Sequence, residues 1–213
     1  MGWERADATS ARGLTPLLEE RFSTRVFDPG YTLGVDDLRP LLEAARWAPS
    51  AGNSQPWAFL VGLRDDETHR AFVPLLSRGN AFWVPRASAV IITLHRSATD
   101  PGSDMLYSDY AAYDLGQSVA HLTVQALAAG LQVHQFAGFD HAATALAFGV
   151  PDNWTVTTAV AIGRPAPVES IEDAEPSLAQ RERRLRDRNP LQGFVFAGTF
   201  GSPAEIAPAP GSR

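Results

Sequence analysis

The chain has 213 residues, of which 45% are hydrophobic and 20% charged, and its formal net charge is −6 at pH 7. This length and composition fit one globular domain with a sizeable core. The acidic balance argues against duplex nucleic acid or an anionic membrane surface as a partner. Cysteine is absent, which excludes disulfides, thiolate nucleophiles and cysteine metal sites. All 18 basic residues are arginine, so lysine chemistry is excluded, and the available cations suit bidentate binding of an anion.

The two ends of the chain differ from its middle. Residues 1–14 are polar and lack the apolar segment of a secretory signal, so we expect a flexible N-terminus and a cytoplasmic protein. No apolar run is long enough to span a membrane. Residues 201–213 are rich in proline and glycine and are predicted to form a flexible tail. Residues 15–200 are predicted to form a single domain, which includes a C-terminal arm over 164–200.

Hydrophobic periodicity predicts helices and strands that alternate along the chain. Helices are predicted from Thr15 to about 21–24, from Asp36 to Ala48, over 65–76, over 108–129, and from a cap at Asp140 to about 149. Strands are predicted over 57–63, 87–94, 131–136 and 154–162, the second and last of them as buried apolar runs. This alternation indicates an α/β or α+β architecture.

A first polar cluster, Arg21-Phe22-Ser23-Thr24-Arg25, follows the first predicted helix. Two guanidinium groups four residues apart, with hydroxyl groups between them, can bind one anion. Taken alone, however, the cluster is more typical of ordinary surface arginines at a helix end.

A second cluster occupies the predicted loop over 49–56, where small residues are mixed with Ser50, Asn53 and Gln55. Small residues allow close backbone approach to a ligand, and hydroxyl and amide groups supply donors and acceptors. An ordinary helix-to-strand connection is an equally good interpretation.

A third cluster contains Arg186 and Arg188 within an arginine-rich run, which alone would indicate a solvated helix face. The five histidines show no tight metal-ligand spacing, so no metal site is predicted.

The order and spacing of these motifs are more specific than any one of them. They run Arg-x-Ser-x-Arg-x-Phe at 21–27, Asn-x-Gln-Pro-Trp at 53–57, Gly-Asn-x-x-Trp at 79–83, Tyr-Asp-x-Gly at 113–116, Ile-Gly-Arg-Pro at 162–165 and Arg-x-Arg-x-Pro-Leu at 186–191. Together they resemble the FMN-dependent nitroreductase family. The resemblance covers roughly 16–201 and implies an α+β fold with a mixed or antiparallel central sheet flanked by helices. It also implies a homodimer in which the C-terminal arm is exchanged and two FMN sites lie in the interface.

The resemblance implies a role for individual residues of this chain. The FMN-binding set is Arg21, Phe22, Ser23, Thr24, Arg25, Ser50, Ala51, Asn53, Asn80, Ala137, Gly138, Arg186 and Arg188. Within it, Arg21, Ser23 and Arg188 would bind the phosphate end, with Arg186 less surely involved and Arg164 as an alternative. Arg25 would lie near the isoalloxazine, Asn80 would contact its pyrimidine edge, and a backbone N–H of 137–138 would face flavin N5. Ser50, Ala51 and Asn53 would come from the second subunit.

A substrate pocket over the flavin is expected to include the aromatic residues Phe82, Trp83, Tyr107 and Tyr110. Core packing or a dimer contact is the alternative for them, and the two are evenly balanced for Phe82 and Trp83. No catalytic side chain is required, because the flavin carries the chemistry. His134 lies near the segment facing N5 and is a weak candidate proton donor, for which a packed histidine is the more common alternative.

The implied activity is ping-pong hydride transfer from NADH or NADPH, through FMN, to a small acceptor such as a nitroaromatic or a quinone. Two alternatives remain open. One is a biosynthetic flavin oxidase or dehydrogenase acting on a specialised metabolite, and the other is a non-catalytic protein that binds and stores FMN. The sequence identifies neither the physiological acceptor nor the preferred nicotinamide cofactor.

Overall fold

The computed structural model describes residues 14–184 and 186–205. Most of the two predicted flexible ends, residues 1–13 and 206–213, lies outside this part. The chain forms two compact units, the main unit Leu14–Glu182 and a C-terminal unit whose described residues are 183–184 and 186–205. Residues 164–182 of the predicted arm therefore pack within the main unit. The single domain predicted over 15–200 stays a prediction.

Helices and strands alternate along the main unit. In chain order they are α1 Pro16–Glu20, α2 Val35–Arg46, β1 Trp57–Leu63, α3 Glu67–Phe72, β2 Ala89–Arg96, α4 Ala111–Ala128, β3 Gln132–Phe136, α5 His141–Ala147, β4 Trp154–Gly163 and α6 Pro176–Glu182. Short 3-10 turns lie at Ala51–Asn53, Val73–Leu75, Val84–Arg86 and Val168–Ile171. Among the described residues, no helix is both long enough and apolar enough to cross a membrane.

The strands form one sheet in the order β1-β2-β4-β3, and all three pairings are antiparallel. This confirms the predicted α+β class and the antiparallel form of the central sheet. β2 and β4 share eight register pairs, from Ala89–Ile162 to Arg96–Trp154, with an irregularity after Thr93. β3 lies at the edge of the sheet beside β4, and the segment that follows it contributes to the candidate site.

Both faces of the sheet are buried, as the continuous apolar run of β2 predicted. On one face, Ile91 and Val160 pack with residues of α2 and α4, such as Leu41 and Leu122. On the opposite face, Val90 and Ile92 pack with Phe72, Trp83 and Phe136. Because successive strand residues point to opposite faces, an unbroken apolar strand requires cover on both sides.

The C-terminal unit contains a short hairpin. Phe196 and Pro203 form an isolated antiparallel bridge, and Ala197 N–H donates to the carbonyl of Ser202 at 2.9 Å. The rings of Phe196 and Phe200 lie 4.9 Å apart between centroids. The hairpin thus has an internal aromatic contact of its own.

Candidate functional site

The first arginine cluster is an extended segment that is hydrogen-bonded to a buried carboxylate of α6. Thr24 Oγ1 donates to Glu182 Oε1 at 2.6 Å, and the backbone N–H of Arg25 lies 3.3 Å from both carboxylate oxygens of Glu182. Thr24 and Glu182 are both buried. A charge-assisted anchor of this kind fixes the backbone from which the neighbouring side chains project.

The same segment presents cationic and hydroxyl groups toward its accessible side. Arg21 Nη1 donates to Ser23 Oγ at 3.2 Å, Ser23 is exposed, and Arg21, Phe22 and Arg25 are half-buried. Among the described residues, the guanidinium of Arg25 forms no ion pair with a carboxylate. Arg21 and Ser23 are thus in direct contact, Arg25 lies two residues further on, and the binding of an anion by these groups stays a prediction.

A continuous series of contacts connects this segment to residues 137–138. His134 Nδ1 lies 2.9 Å from the carbonyl oxygen of Thr24, and its ring lies 4.5 Å from that of Trp83 between centroids. Trp83 Nε1 donates to Asn80 Oδ1 at 3.1 Å, and Asn80 Nδ2 donates to the carbonyl of Gly138 at 2.9 Å. Residues far apart in sequence are thereby held in one rigid unit, which we call the Thr24–Gly138 relay.

His134 behaves as a packed residue within this relay, which favours the alternative to a proton donor. Burial lowers the pKa of His134 to about 4, and the nearby positive charges of Arg25 and Arg21 act in the same direction. The imidazole is therefore neutral at pH 7, and its Nδ1–H is directed at the Thr24 carbonyl. Neither feature suits an acid that delivers a proton to a substrate.

Trp83 also departs from its predicted place in a substrate pocket. Its side chain is buried, its ring stacks on Phe27 at 6.3 Å, and it meets Phe136 edge-on at 5.3 Å. Core packing, the alternative considered for this residue, is thus the one the structure favours. Its N–H is bonded to Asn80, as is usual for a buried tryptophan.

The other three aromatic residues of the predicted pocket are more accessible. Phe82 is half-buried beneath the guanidinium of Arg86, 4.0 Å from the ring centroid. Tyr107 is half-buried beneath Arg96 at 4.5 Å, and Tyr110 is exposed at the start of α4. Their role in binding an acceptor stays a prediction.

Gly138 lies where a side chain would not fit. A Cβ atom on Gly138 would meet Asn80 Nδ2 at 2.6 Å and Ser77 Oγ at 2.8 Å. Its carbonyl accepts from both Ser77 N–H and Asn80 Nδ2 at 2.9 Å. Within the described part of the chain, the N–H groups of Ala137 and Gly138 have no acceptor. Two such free donors beside a glycine are a place for a ligand atom to approach the backbone.

The predicted contact of Asn80 with a flavin ring is less simple than the sequence suggested. Both polar atoms of its amide are already bonded inside the relay, to Trp83 and Gly138. In this arrangement Asn80 supports the Gly138 segment, and its direct contact with a cofactor stays a prediction.

The loop from Ser50 to Gln55 has an unusual backbone. Gly52, Asn53 and Gln55 all have positive φ values, of 59°, 55° and 48°, which for the two non-glycine residues costs roughly 1–3 kcal/mol each. Gln55 N–H donates to Ser50 Oγ at 3.0 Å. The loop is largely exposed. Strain kept in an exposed loop is typical of a segment shaped for contact with a ligand or a partner.

Asp114 of α4, to which the sequence analysis assigned no role, anchors this loop. It is buried, and its Oδ2 accepts from Ala51 N–H at 3.0 Å. The only signal in the sequence was its place in the Tyr-Asp-x-Gly motif, which does not indicate a partner. Glu182, which accepts a hydrogen bond from Thr24, was not predicted either, because nothing in its sequence indicates its partner.

The late arginines are divided between the two units. Arg164 is paired with Asp28 at 2.5 Å and lies 4.6 Å from the ring centroid of Tyr31, so it is already engaged, which weakens it as an alternative phosphate ligand. Arg188 is exposed and its N–H donates to Asp187 Oδ1 at 2.8 Å. Arg186 and Arg188 belong to the C-terminal unit, and their role at a phosphate stays a prediction.

An antiparallel sheet that is covered on both faces defines the chain as an α+β protein, and the relay includes His134 of the edge strand β3. Comparisons with known proteins are more specific. Residues 18–164 match the nitroreductase family. An uncharacterized 15.4 kDa protein of Mycolicibacterium smegmatis is 37% identical over 153 residues, which are 68% of this chain and 98% of the relative. The oxygen-insensitive NAD(P)H nitroreductase of Salmonella typhimurium is 32% identical over 85 residues, 38% of each chain.

The solved structures give the same answer. A crystal structure described as an oxidoreductase containing FMN is 30% identical, with a TM-score of 0.83 and coverage of 95% of this chain and 98% of that one. The chain belongs to the nitroreductase family, and its fold is the nitroreductase fold.

Proposed function

We propose that this chain is an FMN-dependent oxidoreductase that transfers a hydride from NADH or NADPH, through flavin N5, to a small electron-poor acceptor such as a nitroaromatic or a quinone. Family membership supports the reaction class, as do the NAD(P)H nitroreductase and the FMN-containing oxidoreductase among the relatives. The observation that carries the proposal is the Thr24–Gly138 relay. It joins a cationic segment to a backbone segment with two free N–H donors.

The residues present fit the chemical groups of FMN. Its phosphate carries about two negative charges at neutral pH, which suits the guanidinium group of Arg21 and the hydroxyl of Ser23, while Arg25 is left for the ring. Gly138 allows its segment to pack directly on Asn80 and Ser77, where a Cβ atom would not fit, and the N–H groups of Ala137 and Gly138 are left for the ring edge. FMN, when bound, supplies the hydride chemistry, so the chain needs no nucleophile of its own.

The chain's own residues would bind the cofactor, orient it and stabilise the charge that forms on its ring. Arg21 and Ser23 would hold the phosphate, while Arg25 would stabilise negative charge that accumulates on the reduced ring. The N–H groups of Ala137 and Gly138 would donate to the ring edge. Glu182 and the relay keep these groups at fixed positions, so little reorganisation is needed when charge changes.

We also propose that the functional form is a homodimer. A groove of about 610 Å³ runs between α2 and α4 and is lined by Pro40, Glu43, Ala44, Trp47, His121, Val124 and Gln125. Trp47 is 76% exposed at the end of α2, and the strained loop begins three residues later at Ser50. A second copy seated on this groove would cover the tryptophan and bring its partner's loop against the interface.

The dimer is tested by placing a charge in the groove. W47E is expected to be a folded monomer, because Trp47 is exposed in the single chain, whereas V35E on the same helix lies outside the groove and is the control. Light scattering after size-exclusion chromatography measures the mass. A wild-type monomer, or a W47E protein that stays dimeric, would contradict this interface.

The activity is tested by anaerobic addition of NADH and then NADPH to the FMN-loaded protein. We expect one of them to bleach the flavin absorbance, and a nitroaromatic or a quinone to restore it. Bleaching by neither donor would contradict the proposed reductase and favour a protein that oxidises its own substrate or stores flavin.

A further inference from the structure

His141 lies at the start of α5 with both ring nitrogens directed at backbone carbonyls. Its Nε2 is 3.1 Å from the oxygen of Ala137 and its Nδ1 is 3.0 Å from the oxygen of Val156. The ring stacks on Phe139, with centroids 4.1 Å apart and planes 9° apart. The imidazole is therefore fixed in position and in orientation.

One of these carbonyls belongs to the peptide that carries the Gly138 N–H. The oxygen of Ala137 accepts from Phe139 N–H at 3.0 Å and lies 3.1 Å from His141 Nε2. None of the described peptide bonds is cis, so the N–H of Gly138 points in the direction opposite to this oxygen. Fixing the carbonyl of Ala137 consequently fixes where the free N–H of Gly138 points.

A second hydrogen bond, donated by His141 Nε2 to the Ala137 oxygen, would also strengthen the Gly138 N–H as a donor. A carbonyl that accepts hydrogen bonds polarises its peptide group and makes the attached N–H a better donor, by an estimated 10–30% per bond. The next carbonyl, that of Gly138, is held in a similar way by Ser77 and Asn80. Two successive peptides are thus fixed by donors from outside the segment.

We propose that His141 is a positioning residue whose Nε2–H holds the Ala137 carbonyl and thereby aims and polarises the Gly138 N–H toward the ligand. This inference rests on the proposed function for the identity of the ligand, FMN. Each ring nitrogen faces a carbonyl oxygen, and a neutral imidazole can donate from only one of them; we place the donor at Nε2, and the variants below distinguish it from Nδ1.

Two conservative variants separate the ring nitrogens. In H141Q, the side-chain amide nitrogen occupies a position equivalent to Nε2 and can still donate to Ala137. In H141N, the amide nitrogen corresponds to Nδ1 and can donate only to Val156. Both variants remove the stacked ring, so a difference between them reports the hydrogen bond to Ala137 and not the loss of stacking.

The first measurement needs no cofactor. In the FMN-free protein, the Gly138 amide resonance and its hydrogen-exchange rate are compared in the wild type, H141Q and H141N by 15N NMR. We expect H141Q to resemble the wild type, and H141N to show a shifted Gly138 resonance and slower exchange, because a less polarised N–H is less acidic. Equal behaviour of the two variants, whether both normal or both altered, would overturn the proposal.

The second measurement uses the FMN-loaded protein. We expect H141N to slow flavin reduction on the order of tenfold, by analogy with the loss of a hydrogen bond behind a metal ligand, and to shift the midpoint potential of the flavin, while H141Q stays near the wild-type values. An unchanged potential in H141N would overturn the role of His141 but leave the proposed function intact. A protein that binds no FMN would end the proposed function, and the amide measurement would still decide the orientation of the peptide.

Discussion

Asp114 of α4 accepts a hydrogen bond from the backbone N–H of Ala51 at 3.0 Å, although the two residues are 63 positions apart in the chain. The carboxylate is buried, whereas the loop that it holds is exposed and has a left-handed backbone at several positions. The longest helix of the main unit therefore determines the path of a strained surface loop, and we propose that this loop contacts the flavin of a second subunit.

Two substitutions test the hydrogen bond from Ala51 N–H to Asp114. One removes the acceptor oxygen and the other keeps it. D114A leaves the Ala51 N–H without its partner and should lower the free energy of unfolding by about 1–3 kcal/mol. D114N keeps an oxygen acceptor and should lose less. Urea denaturation measures both values. If D114A and D114N were equally stable, the hydrogen bond to Ala51 would not be what holds the loop.

The absence of a side chain at Gly138 is a second testable feature. G138A would force Asn80 and Ser77 to move, because its Cβ would lie within 2.8 Å of both side chains. We expect FMN affinity to fall at least tenfold, which corresponds to about 1.4 kcal/mol. G79A is the matched control, since a Cβ there meets nothing within 4 Å. Equal FMN affinity in the two variants, measured by flavin fluorescence, would remove Gly138 from the site.

The arginines provide a test of where the phosphate binds. R21A and R188A should each weaken FMN binding by roughly 1.5–3 kcal/mol if each removes a charged hydrogen bond. R164A should leave the affinity unchanged, because Arg164 is already paired with Asp28. Isothermal titration gives the three constants. Unchanged affinity in both R21A and R188A would show that the phosphate lies elsewhere.

His134 gives the fold a predictable pH dependence. Its pKa is lowered to about 4 in the folded protein, whereas the unfolded chain takes up the proton near pH 6.5. Between pH 6.5 and 4 the unfolded state therefore binds more protons, so stability falls as the pH falls, by up to about 3 kcal/mol from this residue. Above pH 6.5, His134 is unprotonated in both states, so it adds no pH dependence to the free energy of unfolding.

H134Q isolates that contribution, because burial also lowers the pKa values of His69 and His95. The slope of unfolding free energy against pH should be shallower in H134Q than in the wild type. Parallel slopes over this interval would mean that His134 titrates normally and is not buried as described.

The sequence predicted most of the regular structure because its signals are local. The predicted strand over 57–63 is β1 with the same bounds, since an apolar run there follows directly on Pro56. The helix predicted over 65–76 is shorter, Glu67–Phe72, because Pro74 lacks an N–H and the chain continues as a 3-10 turn. The predicted helix over 108–129 starts only at Ala111, after Ser108 Oγ accepts from Tyr110 N–H.

The supports of the site were harder to predict because their partners are distant in sequence. Thr24 and Glu182 are 158 positions apart, and no periodicity in either segment points to the other. The place of Trp83 was evenly balanced between pocket and core, since an aromatic residue beside a proline suits both. The relay could not be predicted, because its contacts join β3 and the residues after it to the segment after Leu76, which is distant in sequence.

The most direct test of the account is the absorbance spectrum of the purified protein after incubation with FMN and removal of the excess. We predict flavin bands at about 450 nm that remain with the protein, in a ratio of one FMN per chain. A protein that stays colourless after this treatment would contradict the proposed cofactor, and with it the function assigned to the segment around Arg21 and to Gly138.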